Sequence, residues 1–411
     1  MKLLLKLSWR NIWRNKRRSI FTLAAIVFAT LAAIAMRGIQ IGTYDVNIKN
    51  AVEMYSGFLQ IQRNGYQENP SLQLSFFMNE ELLEKINSTE EIISYSPRIS
   101  AGGLVSFQDN SYGIALLGID PRKEEETSKI LTKIKNGFFF KSDTSSEIVL
   151  GHKLLENLNA ELGDYVVVLS QGLDGSLGNL KFKIVGTTKT GSPELDGMAA
   201  FIGIRTAQEL LAMYGERINS IAIKLDDLEN INTVKEKMND ADLRNNDLAV
   251  LTWEEIMPDF KQSIELDNIS GIMMLFILII IVAFGILNTV LMSVTERFNE
   301  FGVTLSIGMP QVKLVHLIFI ETILLTGIGL ILGNILGGII NYIIVNNPIE
   351  VGGDLAYIYE EYGFLPLIES SMKISIFINT SLTVLLVSII ACLYPIYKVY
   401  KLEPLKGIRY T

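Results

Sequence analysis

The 411-residue chain is poor in the residues that make staples, metal centres and catalytic clefts. Its one cysteine, Cys392, excludes an intrachain disulfide, and its place in an apolar run reads as a small buried side chain. Two histidines, His152 and His316, are too few and too far apart for a metal site. No G-x-x-x-x-G-K-S/T stretch occurs, so the chain has no loop to cradle ATP phosphates. Acidic pairs such as Glu80/Glu81 and Glu90/Glu91 read as solvated faces, and no spacing suits a protease or a glycosidase. The expectation is a chain without a catalytic site, and with no cofactor or metal of its own. Charge is also scarce, at 19% of residues against 49% hydrophobic.

The apolar residues gather in four long runs, each long enough to cross a bilayer core of about 20 helical residues. They predict spanning helices at 19–41, 269–294, 314–345 and 373–397. The first run is long for a signal-peptide core and no A-x-A-like site closes it, so it reads as a retained span. Residues 1–18 hold Lys2, Lys6, Arg10, Arg14, Lys16, Arg17 and Arg18 and no acid; the tail 398–411 holds Lys398, Lys401, Lys406 and Arg409 against Glu403. Positive flanks stay inside, so both ends are expected in the cytoplasm. The segment 42–268 is then outside, with 21 basic against 35 acidic residues. Such an acidic domain suits neither nucleic acid nor an anionic lipid surface. The loop 346–372 is acidic too, with Glu350, Asp354, Glu360, Glu361 and Glu369.

Within 1–18, Trp9 and Trp13 are four residues apart, with Arg10, Arg14 and Arg17 or Arg18 on a neighbouring face. This predicts an amphipathic interfacial helix, its indoles at headgroup level and its arginines toward lipid phosphates. After the first span, Ile41, Tyr44, Ile48, Val52 and Tyr55 continue a helical period and predict a stalk. On the return, Thr252 and Glu255 form a capping box for a helix that carries Ile256, Phe260, Ile264 and Ile269 into the second span. Between the stalks, strands are expected at 58–62, 103–107, 148–150, 165–170, 182–185 and 220–225, and helices at 80–86, 154–162 and 206–214, the last stopped by Gly215. A glycine-rich turn is expected over Gln171–Asn179. The fold class is an α-helical membrane protein with four transmembrane helices and a large mixed α/β extracytoplasmic domain between helices 1 and 2, including a strand-rich subdomain near 101–205.

The cytoplasmic loop 295–313 is short but patterned. Phe301, Val303, Leu305, Ile307 and Met309 supply an apolar side, Glu296, Arg297 and Glu300 supply charge, and Gly302, Gly308 and Pro310 bend it. A surface helix offered to a partner fits these features better than a plain hairpin connection. In the third span Gly329, Gly333 and Gly337 make a small-residue face for close helix packing, within the subunit in preference to a dimer seam. Glu321 near its inner end is expected to reach the interface or to pair with an arginine of the N-terminal helix. Asn379, Thr380, Thr383 and Ser388 are expected to make interhelical hydrogen bonds from the fourth span.

WRNIWRNKRRS (9–19), TERFNEFGVTLSIGM (295–309) and LEPLKGIR (402–409) resemble the FtsX/MacB-type ABC transporter permeases. GFLQIQRNGYQENPSLQLSF (57–76) looks most like the lipoprotein-releasing LolC/LolE branch, and EIVLGHKLLENLNAELGDYVVVL (147–169) also follows the family pattern. The resemblance implies a MacB-like periplasmic core domain, a bacterial inner-membrane location, a second permease subunit, identical or related, and a dimer of ABC ATPase subunits that binds ATP and Mg. It places Glu296, Arg297, Glu300, Phe301, Gly302, Gly308 and Met309 at the ATPase-coupling positions, although Pro310-Gln311 replace the usual basic residues that follow. The function implied is extraction of lipoprotein cargo from the outer leaflet to a periplasmic carrier, with Ala32, Ala35, Met36, Ile39, Met273, Phe276 and Ile277 against its lipids. Two other readings stand beside it: an FtsX-like mechanical subunit acting on a cell-wall hydrolase, and a MacB-like efflux permease for peptides or antibiotics.

Overall fold

The computed structural model describes residues 2–14, 16–239, 247–361 and 364–401. The tail 402–411, with the LEPLKGIR stretch, Lys406 and Arg409, lies outside the described residues. The described residues form two compact units: a helical unit within 2–44, 264–350 and 367–401, and a sheet unit within 45–263 and 351–366.

Four helices among the described residues are long and apolar enough to cross a membrane: Ser19–Ser56, Pro258–Thr295, Gln311–Asn346 and Ile374–Tyr400. The first two, at 38 residues each, exceed by about 18 residues what a bilayer core requires. The first helix ends in a π turn over Val52–Ser56. On the return side, the Thr252–Glu255 capping box is present, but it starts only the short helix Trp253–Ile256. The expected continuous helix is broken at Met257, and Pro258 opens the next one. Proline lacks the amide that a continuing helix would need and is well suited to a first turn.

In the helical unit, the small residues of the third helix face the first. A side chain at Gly329, Gly333 or Gly337 would strike Ile26, Thr30 or Ile34, and one at Gly38 would strike Asn341. The order of these pairs rises together along both helices, so the two run in the same direction. Asn341 Nδ2 donates to the Ile34 carbonyl at 3.2 Å. Between the third and fourth helices, Asn334 Nδ2 donates to Ser381 Oγ at 2.9 Å, and Thr322 Oγ1 lies 3.2 Å from Cys392 Sγ. The hydroxyls of Thr383 and Ser388 instead donate to the carbonyls of Asn379 and Val384, one turn back in their own helix. Back-bonding satisfies a hydroxyl in an apolar medium without a neighbour, which corrects the expectation of interhelical bonds from these two residues.

The sheet unit is built on a ten-stranded mixed sheet among the described residues. Its strands run in the order Leu248–Thr252, Leu59–Arg63, Ser220–Leu225, Ile92–Phe107, Asn110–Ile119, Ala199–Gly203, Glu147–Gly151, Leu177–Thr188 and Ile134–Gly137, with Tyr165–Gln171 bridging Ile92–Phe107 and Leu177–Thr188. Ile92–Phe107 is 16 residues long. One end pairs with Ser220–Leu225 and the other with Tyr165–Gln171. The strand-rich region near 101–205 is therefore no separate subdomain, because this strand belongs to both halves of one sheet. At the three-strand junction a Cβ on Gly103 would stand 2.9 Å from the Leu169 carbonyl oxygen, so glycine allows the strands to close there. Leu117, Ile119, Val149, Ala199 and Phe201 form a core on the sheet, with Tyr55 packed against it.

The expected strands and the helix beginning at Glu80 are present, the helix Glu80–Ser88 being capped by Asn79; the strand expected at 103–107 is the end of the much longer Ile92–Phe107. The helix expected over 206–214 is Ile204–Leu210, ending before Gly215. Asn110–Ile119, Ala199–Gly203 and Leu248–Thr252 are strands that the pattern did not announce. Part of the 346–372 loop joins the sheet unit: Leu365 N donates to Asn47 Oδ1 at 2.9 Å, and the Phe364 ring tilts against Phe260 at 6.0 Å.

Candidate functional site

The segment after the second helix folds into a helix over Phe298–Ser306. Its apolar residues do not form one side, as their two-residue spacing in the sequence might suggest for a strand. A helix of 3.6 residues per turn separates them. Phe298, Phe301, Gly302 and Leu305 are buried, the three larger side chains lying in the core with Val290, Val294, Leu314 and Leu317. Val303 and Ile307 face outward, 49% and 83% exposed. Glu296, Asn299, Glu300, Val303 and Ile307 form one exposed stripe. Gly308, at φ 99°, stands where a left-handed residue closes the helix, with the Met309 amide on the Thr304 carbonyl at 3.2 Å. Of the residues assigned to coupling, Arg297, Phe301 and Gly302 thus point inward, Glu296, Glu300 and Gly308 outward, and Met309 is half-buried.

The charged residues form a chain of alternating sign. Arg14 Nη2 donates to both carboxylate oxygens of Glu300, at 2.8 and 2.7 Å. Glu300 Oε2 lies 3.5 Å from Arg297 Nε, and Arg297 Nη1 donates to Glu321 Oε2 at 3.2 Å. Arg14, Glu300, Arg297 and Glu321 so link the N-terminal helix Lys2–Arg14, the connecting helix and the third long helix. Glu321 has Arg297 as a partner, an arginine of the connecting segment that the sequence reading did not name. The outer pair is half exposed, while the Arg297 and Glu321 side chains are 11% and 14% exposed. The inner pair is therefore the costlier to break, since a lost partner leaves a charge with little water. Hydrogen bonding to Arg14 holds the Glu300 carboxyl below its ordinary range, against partial burial that acts the other way. A cavity of about 40 Å³ adjoins the chain, lined by Asn11, Ser19, Thr22, Ser293, Arg297 and Glu321 among others. The N-terminal helix is seated by Ser8 Oγ, which donates to the Leu317 carbonyl at 3.2 Å.

Farther along the first and second helices lies a polar contact that sequence reasoning missed. Arg37 Nη1 donates to Gln40 Oε1 at 2.6 Å and to Asn268 Oδ1 at 2.8 Å, and the Tyr44 hydroxyl donates to Asp267. A lone arginine inside a predicted span was the available signal. Beyond it, Met273, Phe276 and Ile277 on the second helix are about 60% exposed. Ala32, Ala35, Met36 and Ile39 on the first are half-buried.

In the sheet unit, the π turn is fastened through its carbonyls. Arg98, buried on Glu124, donates to the Tyr55 carbonyl and covers the Tyr55 ring at 3.9 Å. The Lys129 amide donates to the Glu53 carbonyl at 2.7 Å, its ammonium pairs with the Glu53 carboxylate at 2.5 Å, and Gln60 Nε2 donates to the Ser56 carbonyl at 2.6 Å. Carbonyls left free at a helix end need such donors. Among the described residues no group of three or more His, Cys, Asp and Glu is gathered as a metal site.

The MacB-like periplasmic core domain family matches residues 19–241, more than half of the chain, and the FtsX-like permease C-terminal family matches residues 272–404. The lipoprotein-releasing system transmembrane protein LolC of Neisseria meningitidis serogroup B is 23% identical over 425 aligned positions, covering 97% of each chain. The macrolide export ATP-binding/permease protein MacB of Wolinella succinogenes is 22% identical over 359 positions; these cover 81% of this chain and 52% of that longer protein. Among solved structures, the periplasmic region of MacB from Actinobacillus actinomycetemcomitans overlays with a TM-score of 0.37 at 17% identity, over 54% of this chain and 98% of that one.

Proposed function

The chain belongs to the FtsX/MacB-type ABC transporter permeases, and from that premise we propose that it is the membrane subunit of a lipoprotein-releasing transporter. The observation that carries this reading is the end-to-end likeness to a LolC protein, over 97% of both chains. ATP and Mg are bound and used by a separate pair of ATPase subunits, and a second permease, identical or related, completes the membrane part. Both termini lie in the cytoplasm and the sheet unit in the periplasm, in keeping with the basic flanks and the acidic segment 42–268.

In this mechanism the exposed stripe Glu296–Ile307 meets the ATPase, while Phe301 and the Arg297–Glu321 pair tie the stripe to the helical unit. A push on the connecting helix enters the third helix, and the glycine face passes it to the first. The exposed Met273, Phe276 and Ile277, with Ala32, Ala35, Met36 and Ile39, supply an apolar surface for acyl chains. Withdrawing a lipid chain from a bilayer costs about 0.8 kcal/mol per CH₂, which is why extraction needs ATP. The first helix carries the movement along its own backbone to the turn held by Arg98, Lys129 and Gln60.

The test is a proteoliposome holding the chain with its co-purified ATPase and a lipoprotein. ATP-dependent transfer of the lipoprotein to a soluble carrier fraction is expected. Hydrolysis without release would overturn the reading. A second reading, a MacB-like exporter of peptides or antibiotics, is favoured by the MacB-like match over residues 19–241; it predicts that loss of the gene lowers drug tolerance and leaves lipoprotein sorting intact.

A further inference from the structure

The N-terminal helix Lys2–Arg14 begins without an acid and ends on Arg14. Trp9 and Trp13 are about half exposed, their rings edge to face at 6.0 Å. Lys6, Arg10, Arg14, Lys16 and Arg17 are exposed beside them. Arg10 and Arg14 stand one turn apart and share a face. Indoles with clustered cations suit a layer of negatively charged phospholipid headgroups. Arg14 also grips Glu300 with both carboxylate oxygens, yet 51% of its side chain stays open.

We propose that Arg14 is a two-position contact: Glu300 holds it at a neutral membrane surface, and the phosphate of an anionic phospholipid draws it away at a negatively charged one. An exposed arginine–carboxylate pair and an arginine at an anionic lipid surface have similar, small strengths. Headgroup charge is therefore enough to decide between them. Release does not strand Glu300, because Arg297 Nε remains 3.5 Å away. The buried Arg297–Glu321 pair takes no part in the exchange, and the connecting helix stays seated through Phe298, Phe301 and Leu305. Lipid charge thus sets how firmly the N-terminal helix is tied to the connecting helix. The effect on coupling rests on the function proposed above; the exchange of partners does not.

The test uses the full chain carrying Arg14→Lys, in nanodiscs of phosphatidylcholine or of the same lipid with about a third phosphatidylglycerol. A carbodiimide joins an amine to a carboxylate only where the two touch, and mass spectrometry reads the yield of the 14–300 link, with Glu300→Gln as the blank. The yield should fall about five-fold in the anionic discs. An equal yield in both discs overturns the proposal, as does an equal fall when inorganic phosphate is added to neutral discs, which would mean screening by a soluble anion. A second measurement covers loss of the contact by the lysine itself. In the chain with native Arg14, quenching of Trp9 and Trp13 by brominated phosphatidylglycerol should reach its midpoint at several-fold less lipid when Glu300→Gln frees Arg14. An unchanged midpoint overturns the proposal. Neither readout needs an ATPase or a cargo, so failure here leaves the transport reading standing, and failure of release in proteoliposomes leaves this contact standing.

Discussion

Arg98 donates to both carboxylate oxygens of Glu124, at 3.0 and 2.6 Å, with 1% and 0% of the two side chains exposed. Burial would pull the Arg98 pKa down, but the adjacent Glu124 more than reverses this, and the arginine is held above its ordinary range. The guanidinium stays charged and caps the first helix at the Tyr55 carbonyl. Arg98→Met strands a buried carboxylate and should cost about 3–5 kcal/mol. Denaturant unfolding followed by Trp253 emission reads it. The double variant with Glu124→Met should recover more than half of the loss, and no recovery would deny the pairing.

The Arg14–Glu300 contact should weaken in acid. The Glu300 pKa is lowered in the folded chain, so its contribution is complete above the ordinary glutamate value of about 4.3 and is lost as pH falls through the depressed one. Since both side chains are half exposed, the contribution is under about 1 kcal/mol. The stability difference between the native chain and Glu300→Gln should be flat from neutral pH down to about 5 and vanish in stronger acid. A difference that grows on acidification would contradict the assignment.

Gly333 and Gly285 should respond oppositely to the same methyl group. A Cβ at Gly333 meets Thr30 and the Val27 carbonyl, whereas one at Gly285 in the second helix meets nothing within 4 Å. Gly333→Ala should lower the melting temperature in detergent by several degrees, an overpacking cost of about 1–3 kcal/mol. Gly285→Ala should leave it unchanged or raise it. Equal effects would sink the close packing of the first and third helices.

Ile307 and Phe301 separate binding from folding. Ile307→Asp changes a side chain that is 83% exposed, so melting should be unaffected. Under the proposed coupling it should cut ATPase co-purification at least about ten-fold, because a carboxylate would be buried unpaired at the contact. Phe301→Ala removes a core side chain and should cost about 3–5 kcal/mol of stability. Undiminished co-purification with Ile307→Asp would place the ATPase contact elsewhere.

The four apolar runs were legible because a bilayer demands an apolar length that composition alone reveals, and Ser220–Leu225 was legible because it alternates between clear turns. What escaped depends on partners distant in sequence. Ala199–Gly203 is five residues long and opens on two alanines, and it becomes a strand through Ala115–Ile119 on one side and Val149 and Leu150 on the other. Glu300 and Arg14 are 286 residues apart, so the chain shows only an acid in one loop and a basic cluster in another. Arg98 lies outside the strand expected at 103–107, and nothing nearby announces that Glu124 folds back over it. At Phe301–Met309 the apolar residues were recognised, but helical period, not alternation, decides which are inside.

Asn341 and Gly38 set the axial register of the first and third helices. Along Ile26, Thr30 and Ile34 the third helix supplies the glycine; at Gly38 the roles reverse and the first helix yields space to an amide. A slip of one turn, about 5.4 Å, would drive that amide onto the branched side chain of Ile34 and leave the hollow at Gly38 empty. Piston travel of one rod past the other is thereby denied. The pair can still lean or turn together, which leaves tilting as the stroke open to the proposed coupling.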